Sequence, residues 1–125
     1  FSILYDDAIE MVLWAIQNAK GGEIIVPKIP SYRILDLAKT IAPKAKIKTV
    51  GIRQGEKIHE ELINENDGNE IYENNKYYII VSRNKYLKIK YDNKVIKRVK
   101  KKIKLNSLEN KFLNISELKK MLKKL

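Results

Sequence analysis

Hydrophobic residues in the first part of the chain follow one helical and one strand-like pattern. In residues 6–19 they recur at the three- and four-residue spacing of an amphipathic helix. The positions are Ile9, Val12, Leu13 and Ile16. Met11 and Trp14 broaden this face, and we assign both to the core. Acidic residues begin the segment and two glycines follow it, as a helix dipole and a helix C-cap favour. The apolar run at residues 23–26 predicts a short buried strand that ends at Pro27.

The next segment predicts a second helix and a second strand. Apolar positions recur from residue 34 to residue 41, with Ser31 as the expected N-cap. Pro43 ends this helix. Polar and apolar residues alternate over residues 46–50, which is typical of a half-exposed strand. The residues that follow would then leave the C-terminal end of a strand, a common position for ligands in open α/β sheets.

In the second half of the chain, the hydrophobic patterns predict secondary structure clearly in some segments and ambiguously in others. Residues 57–63 fit a short helix, and residues 77–81 combine aromatic and β-branched residues as a strand does. Residues 83–105 fit strand alternation and helical spacing equally well. Near the C-terminus, Asn114 is followed three positions later by Glu117, a capping box that predicts a terminal amphipathic helix.

Composition narrows the class of protein. With 125 residues, of which 44% are hydrophobic, the chain has the length of a single domain and enough apolar residues for a core. It contains no Cys, which excludes disulfide frameworks and thiolate metal sites and is consistent with the cytoplasm. No apolar run approaches the roughly 18 residues of a membrane span. We therefore expect a cytoplasmic protein without a membrane partner.

The net charge of +11 is concentrated in the last 50 residues. Residues 1–75 carry 9 Lys and Arg against 12 Asp and Glu, whereas residues 76–125 carry 17 against 3. This asymmetry is compatible with a small basic module that binds nucleic acid through residues 83–104. However, that segment has no recognisable reading helix and no RNP-like pattern of stacking aromatics. We favour a lysine-rich face that is exposed to water and expect no nucleic-acid partner.

One short segment carries candidate binding chemistry. Residues 53–60 read RQGEKIHE and place Arg53, Gly55 and Glu56 in one turn. The Arg53 guanidinium can donate to two phosphate oxygens at once, and the Glu56 carboxylate can accept hydrogen bonds from vicinal sugar hydroxyls. Gly55 permits a tight turn or the close approach of a ligand. A solvated turn with a surface Arg and a surface Glu would show the same R-x-G-E pattern.

The residues around this turn resemble a known family. The chain reads GGEIIVPKIPS at residues 21–31, ILDLA at residues 34–38 and IKTVGIRQGEKIHEEL at residues 47–62. With residues 6–8 and the C-terminal residues 106–118, these segments are similar to the C-terminal region of bacterial UDP-N-acetylglucosamine 4,6-dehydratases, which belong to the extended short-chain dehydrogenase/reductase superfamily. The resemblance covers residues 1–82 and 106–125.

This resemblance implies both a fold and a site. The fold would be α/β: the C-terminal substrate-binding portion of an extended Rossmann-type dehydrogenase/reductase, without its N-terminal dinucleotide-binding half. Carried over by position, Arg53 would bind the diphosphate of a UDP-sugar and Glu56 its ribose hydroxyls. The family usually has Pro where this chain has Gln54, so the loop lacks a residue that pre-sets the turn. Lys57 and His59 lie nearby and receive no role.

The catalytic parts of that family have no counterpart in these residues. The family uses NADP or NAD on a glycine-rich turn, together with a Tyr and a Lys. Here the adjacent glycines at residues 21–22 follow a helix, as a C-cap does. Two Y-x-x-x-K matches, Tyr72 with Lys76 and Tyr86 with Lys90, are interpreted as chance. We therefore expect no catalytic residue in this segment and no cofactor bound to it.

We also expect no metal site. His59, Glu60 and Glu61 combine an imidazole with two carboxylates, which invites a metal hypothesis. The three residues are adjacent, so they would point in different directions on a helix, unlike the i and i+4 ligands of a zinc helix.

Residues 1–82 are predicted to form a nucleotide-sugar-binding portion and residues 83–125 a basic C-terminal extension. We interpret the chain, which begins with Phe1, as the C-terminal piece of a longer enzyme and expect it to be inactive alone. In the complete enzyme the resemblance implies a UDP-sugar, the N-terminal Rossmann half and a homo-oligomer as partners. A further interpretation is that the chain is an orphaned segment whose only role is in assembly. The choice between NAD and NADP stays open.

Overall fold

The computed structural model describes residues 1–65, 70–81, 89–91 and 94–124. The helices and strands, in chain order, are α1 (Tyr5–Asn18), β1 (Glu23–Pro27), α2 (Ile34–Ile41), β2 (Glu61–Ile63), β3 (Glu70–Glu73), β4 (Tyr77–Val81), β5 (Lys97–Arg98), β6 (Leu105–Asn106) and α3 (Ile115–Leu122). They form two compact units. Unit 1 comprises Phe1–Leu4, Ile29–Glu61 and Leu105–Leu125, and unit 2 comprises Tyr5–Lys28 and Leu62–Lys104.

Unit 2 is built on a four-stranded antiparallel sheet. The strand order is β1-β4-β3-β5, so the apolar strand β4 lies between two neighbours. Its centre is fully covered, with Ile79 paired to Ile25 on one side and to Tyr72 on the other. Tyr72, Ile79, Val81 and Ile96 form a buried cluster in the core of the unit. The predicted strands at residues 23–26 and 77–81 are therefore confirmed as strands. The expected burial of the first is only partly correct, because Val26 is buried but Ile24 is 62% exposed.

Helix α1 confirms the predicted helix over residues 6–19 to within one residue at each end. Trp14 packs against the sheet core, with its ring centroid 5.0 Å from that of Tyr77. The other apolar positions of the helix are largely exposed: Ile9 is 50%, Val12 54%, Leu13 54% and Ile16 75% exposed. The helix thus packs against the sheet through one side and leaves a second apolar side uncovered by the described residues.

Unit 1 contains α2 and α3. The capping box of α3 is confirmed, because the Glu117 N–H donates to Asn114 Oδ1 (3.0 Å) and the Asn114 N–H donates to Glu117 Oε2 (2.9 Å). Leu118 on this helix is fully buried. Both bonds join residues three positions apart, which is why the local sequence was sufficient to predict them.

Ser31 is not the N-cap of α2, contrary to the prediction. The cap position belongs to Arg33, whose side chain makes no capping bond. Ser31 is fully buried, and it forms a parallel bridge with Phe112. Its hydroxyl accepts a hydrogen bond from the Asn110 amide at 3.2 Å. A long-range partner thus takes the place of the local one that the sequence favoured.

Two predicted elements between residues 46 and 63 are wrong. Residues 46–50 form no strand, and every residue from 41 to 62 is exposed. A strand needs a hydrogen-bonded neighbour, and Ile47 and Val50 find no cover among the described residues, since they are 49% and 80% exposed. Residues 57–63 do not form a helix.

The non-helical backbone around Glu60 has a tertiary cause. The Ser107 N–H donates to the Glu60 carbonyl at 2.8 Å, and the Glu60 N–H donates to the Ser107 hydroxyl at 3.0 Å. Ser107 lies 47 positions away along the chain. Such pairing overrides the modest helical propensity of the segment.

Within the stretch at residues 83–105, whose pattern was ambiguous, Lys97 and Arg98 form the strand β5. Residues 82–88 lie outside the described residues, and so does the proposed boundary between residues 82 and 83, which stays a prediction. Within the described part of the chain, no helix is both long enough and apolar enough to cross a membrane.

Candidate functional site

Arg53, Gln54, Gly55 and Glu56 form a type II β-turn in unit 1. The Glu56 N–H donates to the Arg53 carbonyl at 3.1 Å, which is the hydrogen bond between the first and fourth residues of a β-turn. Gly55 has a φ of 85°, whereas no described non-glycine residue has a positive φ. A positive φ at the third position alone defines type II, and it explains why glycine occupies that position.

The Glu56 side chain makes a second hydrogen bond across the turn. Its Oε2 atom accepts a hydrogen bond from the Arg53 backbone N–H at 2.9 Å. The structure therefore brings together the two predicted site residues, but through the backbone of Arg53 and not through its guanidinium. Among the described residues, the Arg53 guanidinium has no ion-pair partner. It remains able to bind an anion.

The turn lies on an open surface. Arg53, Glu56, Lys57 and His59 are all exposed. Because the described residues do not cover the Arg53 side chain, a ligand can reach its planar fork of donors directly. Water also reaches it, so a strong phosphate contact needs further protein surface to exclude solvent.

Gly51 is a second glycine that shapes this segment, and the sequence reasoning overlooked it. It also has a φ of 85°, two residues before Arg53. A Cβ placed there would meet nothing within 4 Å, so the glycine is required for its backbone angle and not for space. The sequence signal for this role was the presence of Gly51 four positions before Gly55.

The adjacent glycines of unit 2 do not fit a dinucleotide. The backbone N–H groups of Lys20 and Gly21 both donate to the Glu23 carboxylate at 2.7 Å. The Tyr91 hydroxyl donates to the same carboxylate at 2.5 Å. Burial raises the pKa of Glu23, but these hydrogen bonds outweigh it and hold that pKa below its usual value. The N–H groups of Lys20 and Gly21 are therefore bound to a protein carboxylate, in the way that a phosphate loop would bind a phosphate.

The Y-x-x-x-K pair of the described residues is not assembled as a proton-handling pair. Tyr72 is buried in the sheet core, and its hydroxyl lies 3.4 Å from Glu70 Oε2. Lys76 is exposed and binds the Glu10 carboxylate at 2.5 Å. The second match includes Tyr86, which lies outside the described residues.

His59, Glu60 and Glu61 lie where the chain enters β2, not on a helix. Over the described ranges, no group of three or more His, Asp or Glu side chains is arranged to hold a metal ion. The candidate site of this chain is therefore the turn at residues 53–56.

Comparisons with known proteins identify the relatives of this chain. Residues 1–82 match the model of a family described as polysaccharide biosynthesis protein. The chain is 45% identical over 80 residues to the UDP-N-acetylglucosamine 4,6-dehydratase (inverting) of Campylobacter jejuni, which covers 64% of this chain and 24% of that protein. It is 33% identical over 121 residues to the UDP-glucose 4-epimerase of Rickettsia akari, which covers 93% of this chain and 36% of that protein.

A solved structure shows the same fold. Pen from Bacillus thuringiensis superimposes with a TM-score of 0.78 and 25% identity, covering 95% of this chain and 36% of that protein. The mixed α/β fold is thereby confirmed. This chain spans between about a quarter and about a third of the length of these three proteins.

Proposed function

This chain belongs to the polysaccharide biosynthesis protein family, and we propose that it is the C-terminal, UDP-sugar-binding part of a nucleotide-sugar 4,6-dehydratase of the UDP-N-acetylglucosamine type. Its relatives include nucleotide-sugar dehydratases and epimerases. The complete enzyme would act in the cytoplasm in the synthesis of surface polysaccharide or another glycan.

The turn at residues 53–56 carries this proposal. Its backbone is closed by two hydrogen bonds, so the Arg53 side chain projects from a defined position. The guanidinium would bind the diphosphate of the UDP-sugar. The second carboxylate oxygen of Glu56 would accept hydrogen bonds from the ribose hydroxyls, since only Oε2 binds the Arg53 N–H.

Holding the nucleotide at this turn would position the sugar at a distance. The diphosphate and the ribose are remote from the reacting carbons, and fixing them limits where those carbons lie. Orientation of this kind supplies a large part of the rate enhancement of many enzymes. The proposed role of this chain is therefore to bind and orient the substrate, and no residue in it is given a catalytic role.

The exposed apolar residues support the N-terminal Rossmann half of the complete enzyme as a partner. On α2, Ile34 is 69% and Ile41 64% exposed, and on the following segment Val50 is 80% exposed. Helix α1 of unit 2 separately exposes Val12 (54%) and Ile16 (75%), and exposed apolar side chains of this kind mark interaction surfaces where they cluster. We propose that the N-terminal half covers them and completes the wall of the substrate site around Arg53.

The cofactor, NADP or NAD, would bind to that N-terminal half. The glycines at residues 21–22 do not fit it, because the Gly21 N–H binds the Glu23 carboxylate. When bound, the cofactor would supply hydride transfer to and from the sugar. A homo-oligomer of the complete enzyme is part of the same proposal.

Substitution of Arg53 in the complete enzyme tests this function. We predict that Arg53→Ala raises the KM for the UDP-sugar by tens of fold, about 2–3 kcal/mol for a charge-assisted contact, with a smaller change in kcat. Arg53→Lys should restore only part of the affinity, since an ammonium group lacks the planar fork. Lys48→Ala, which removes an exposed cation from the same segment, is the control and should leave KM unchanged. An unchanged KM in Arg53→Ala would exclude Arg53 from the site.

A further inference from the structure

Unit 2 carries a row of exposed lysines that the proposed function does not use. We call it the basic edge and define it by five exposed lysines: Lys94, Lys97, Lys100, Lys101 and Lys102. None of the five has an ion-pair partner within the described ranges. Arg98, which lies among them, is paired with Glu70 at 2.8 Å. The basic edge thus places five lysines, all without an ion-pair partner among the described residues, within nine positions.

The backbone of the basic edge is held in place. It includes β5, one of the two outer strands of the sheet, which pairs with β3. Just beyond it, the Val99 N–H donates to the Ile71 carbonyl at 2.8 Å. Ile96 is only 4% exposed and belongs to the core. These contacts hold residues 96–99 at the edge of the sheet, and the exposed lysines lie within this segment or directly beside it.

A cleft adjoins one end of the basic edge. Its volume is about 700 Å³, and its lining includes Lys94, Lys97, Asn75 and Lys28. Lys28 is already engaged, since it binds Glu73 at 2.6 Å and lies 4.4 Å from the centre of the Tyr78 ring. Within the part of the chain that the structure describes, Lys94 and Lys97 are the lining cations without an ion-pair partner. A cleft of this volume is large enough for a small anionic group such as a lipid headgroup.

We propose that the basic edge binds the surface of an anionic lipid bilayer. Each lysine near such a surface is attracted by its negative potential, and clusters of four to eight basic residues are typical of peripheral contacts with acidic lipids. A lysine ammonium is a point charge on a flexible stem, which suits headgroups without a fixed spacing. Val95, which is 71% exposed beside Lys94, adds an apolar side chain at the headgroup level.

The chemistry of the basic edge favours lipid over nucleic acid. Residues 94–104 contain no aromatic side chain on which a base could stack. Their single arginine, Arg98, is bound to Glu70 and is not free for bidentate contact with a guanine. The expectation of no membrane partner rested on the lack of a spanning segment. A peripheral contact through exposed lysines requires no such segment.

Vesicle binding tests this inference. The full chain would be mixed with phosphatidylcholine vesicles, with and without phosphatidylglycerol, and the bound fraction measured by co-sedimentation. We expect binding only to the anionic vesicles, with release as salt is added. The variant K100Q/K101Q/K102Q should bind at least roughly tenfold more weakly, on the basis of the attraction per lysine. Circular dichroism would verify that the variants keep their fold.

A matched variant separates a specific surface from net charge alone. K44Q/K46Q/K48Q removes the same number of exposed lysines from unit 1 and should bind anionic vesicles as the unsubstituted chain does. Equal weakening by both triple variants would overturn the inference, as would equal binding to neutral vesicles. Tighter binding to duplex DNA than to anionic vesicles, lost in K100Q/K101Q/K102Q, would also overturn it and would make nucleic acid the partner.

Discussion

At Arg53, the backbone and the side chain serve different purposes. The backbone N–H binds the Glu56 carboxylate, whereas the guanidinium has no ion-pair partner in the described part of the chain. The R-x-G-E pattern predicted which residue types would share the turn, because a tight turn is a local property. It did not predict that one oxygen of Glu56 would be used to close the turn, or that Gly51 would share the backbone angle of Gly55.

The turn predicts the effect of restoring the proline that the family resemblance implies at position 54. Pro fits the second position of a type II turn, and the Gln54 N–H donates no hydrogen bond within the described residues. Gln54→Pro should stabilise the turn by about 0.4–1 kcal/mol, because it restricts the unfolded chain. Chemical denaturation would measure this as a higher free energy of unfolding, with Gln54→Ala as a control that lacks the fixed backbone angle. A lower stability of Gln54→Pro would contradict the assigned turn.

Among the elements, those with a strong local pattern were predicted, whereas segments whose conformation is set by distant partners against their local pattern were not. Helix α1 and the capping box of α3 depend on residues three or four positions apart. The segment at residues 57–60 depends instead on Ser107, and the burial of Ser31 depends on residues 110–113. No pattern within a short window contains that information. The segment at residues 46–50 has the alternation of a strand but no neighbouring strand among the described residues. It therefore does not form the strand that its pattern predicts.

The capping box of α3 gives a prediction about stability. Asn114→Ala removes the acceptor for the Glu117 N–H and should lower the free energy of unfolding by about 1 kcal/mol. Asn114→Asp keeps an acceptor and should retain most of the stability. Chemical denaturation at neutral pH measures both, and equal stability of Asn114→Ala and the unsubstituted chain would show that the cap does not stabilise the helix.

The same box has a pH dependence of defined sign. The hydrogen bond from the Asn114 backbone N–H, together with nearby lysines, holds the pKa of Glu117 below its ordinary value of 4.5. Glu117 therefore stabilises the folded chain fully above that value. Its contribution is lost as the pH falls through the lowered pKa.

At the scale of the whole molecule, the chain spans only part of the length of its relatives and exposes many apolar side chains. The chain spans 24% of the dehydratase of Campylobacter jejuni and 36% of Pen, and large apolar side chains on α1 and α2 face solvent. The family and the α/β class could be predicted, because the matching segments are long and specific. The extent of uncovered surface could not, because helical spacing shows which residues share a face but not what covers it.

This surface predicts different behaviour in the chain and in the complete enzyme. Val12 is 54% exposed here, so Val12→Glu should change the stability of the isolated chain by no more than about 0.5 kcal/mol. In the complete enzyme the same carboxylate would be buried without a partner and should destabilise by roughly 2 kcal/mol or more. Thermal unfolding of both proteins measures the difference, with Gln17→Glu on the same helix as a matched control. Equal tolerance of Val12→Glu in both would show that this face stays in water.

The central claim is that Arg53 binds the diphosphate of a UDP-sugar. A crystal structure of the complete enzyme with UDP tests it most directly. We predict guanidinium nitrogens of Arg53 at about 2.7–2.9 Å from phosphate oxygens, the distance of a charge-assisted hydrogen bond, with Glu56 facing the ribose. A bound UDP whose phosphates contact other residues, with the Arg53 side chain turned away from them, would contradict the account.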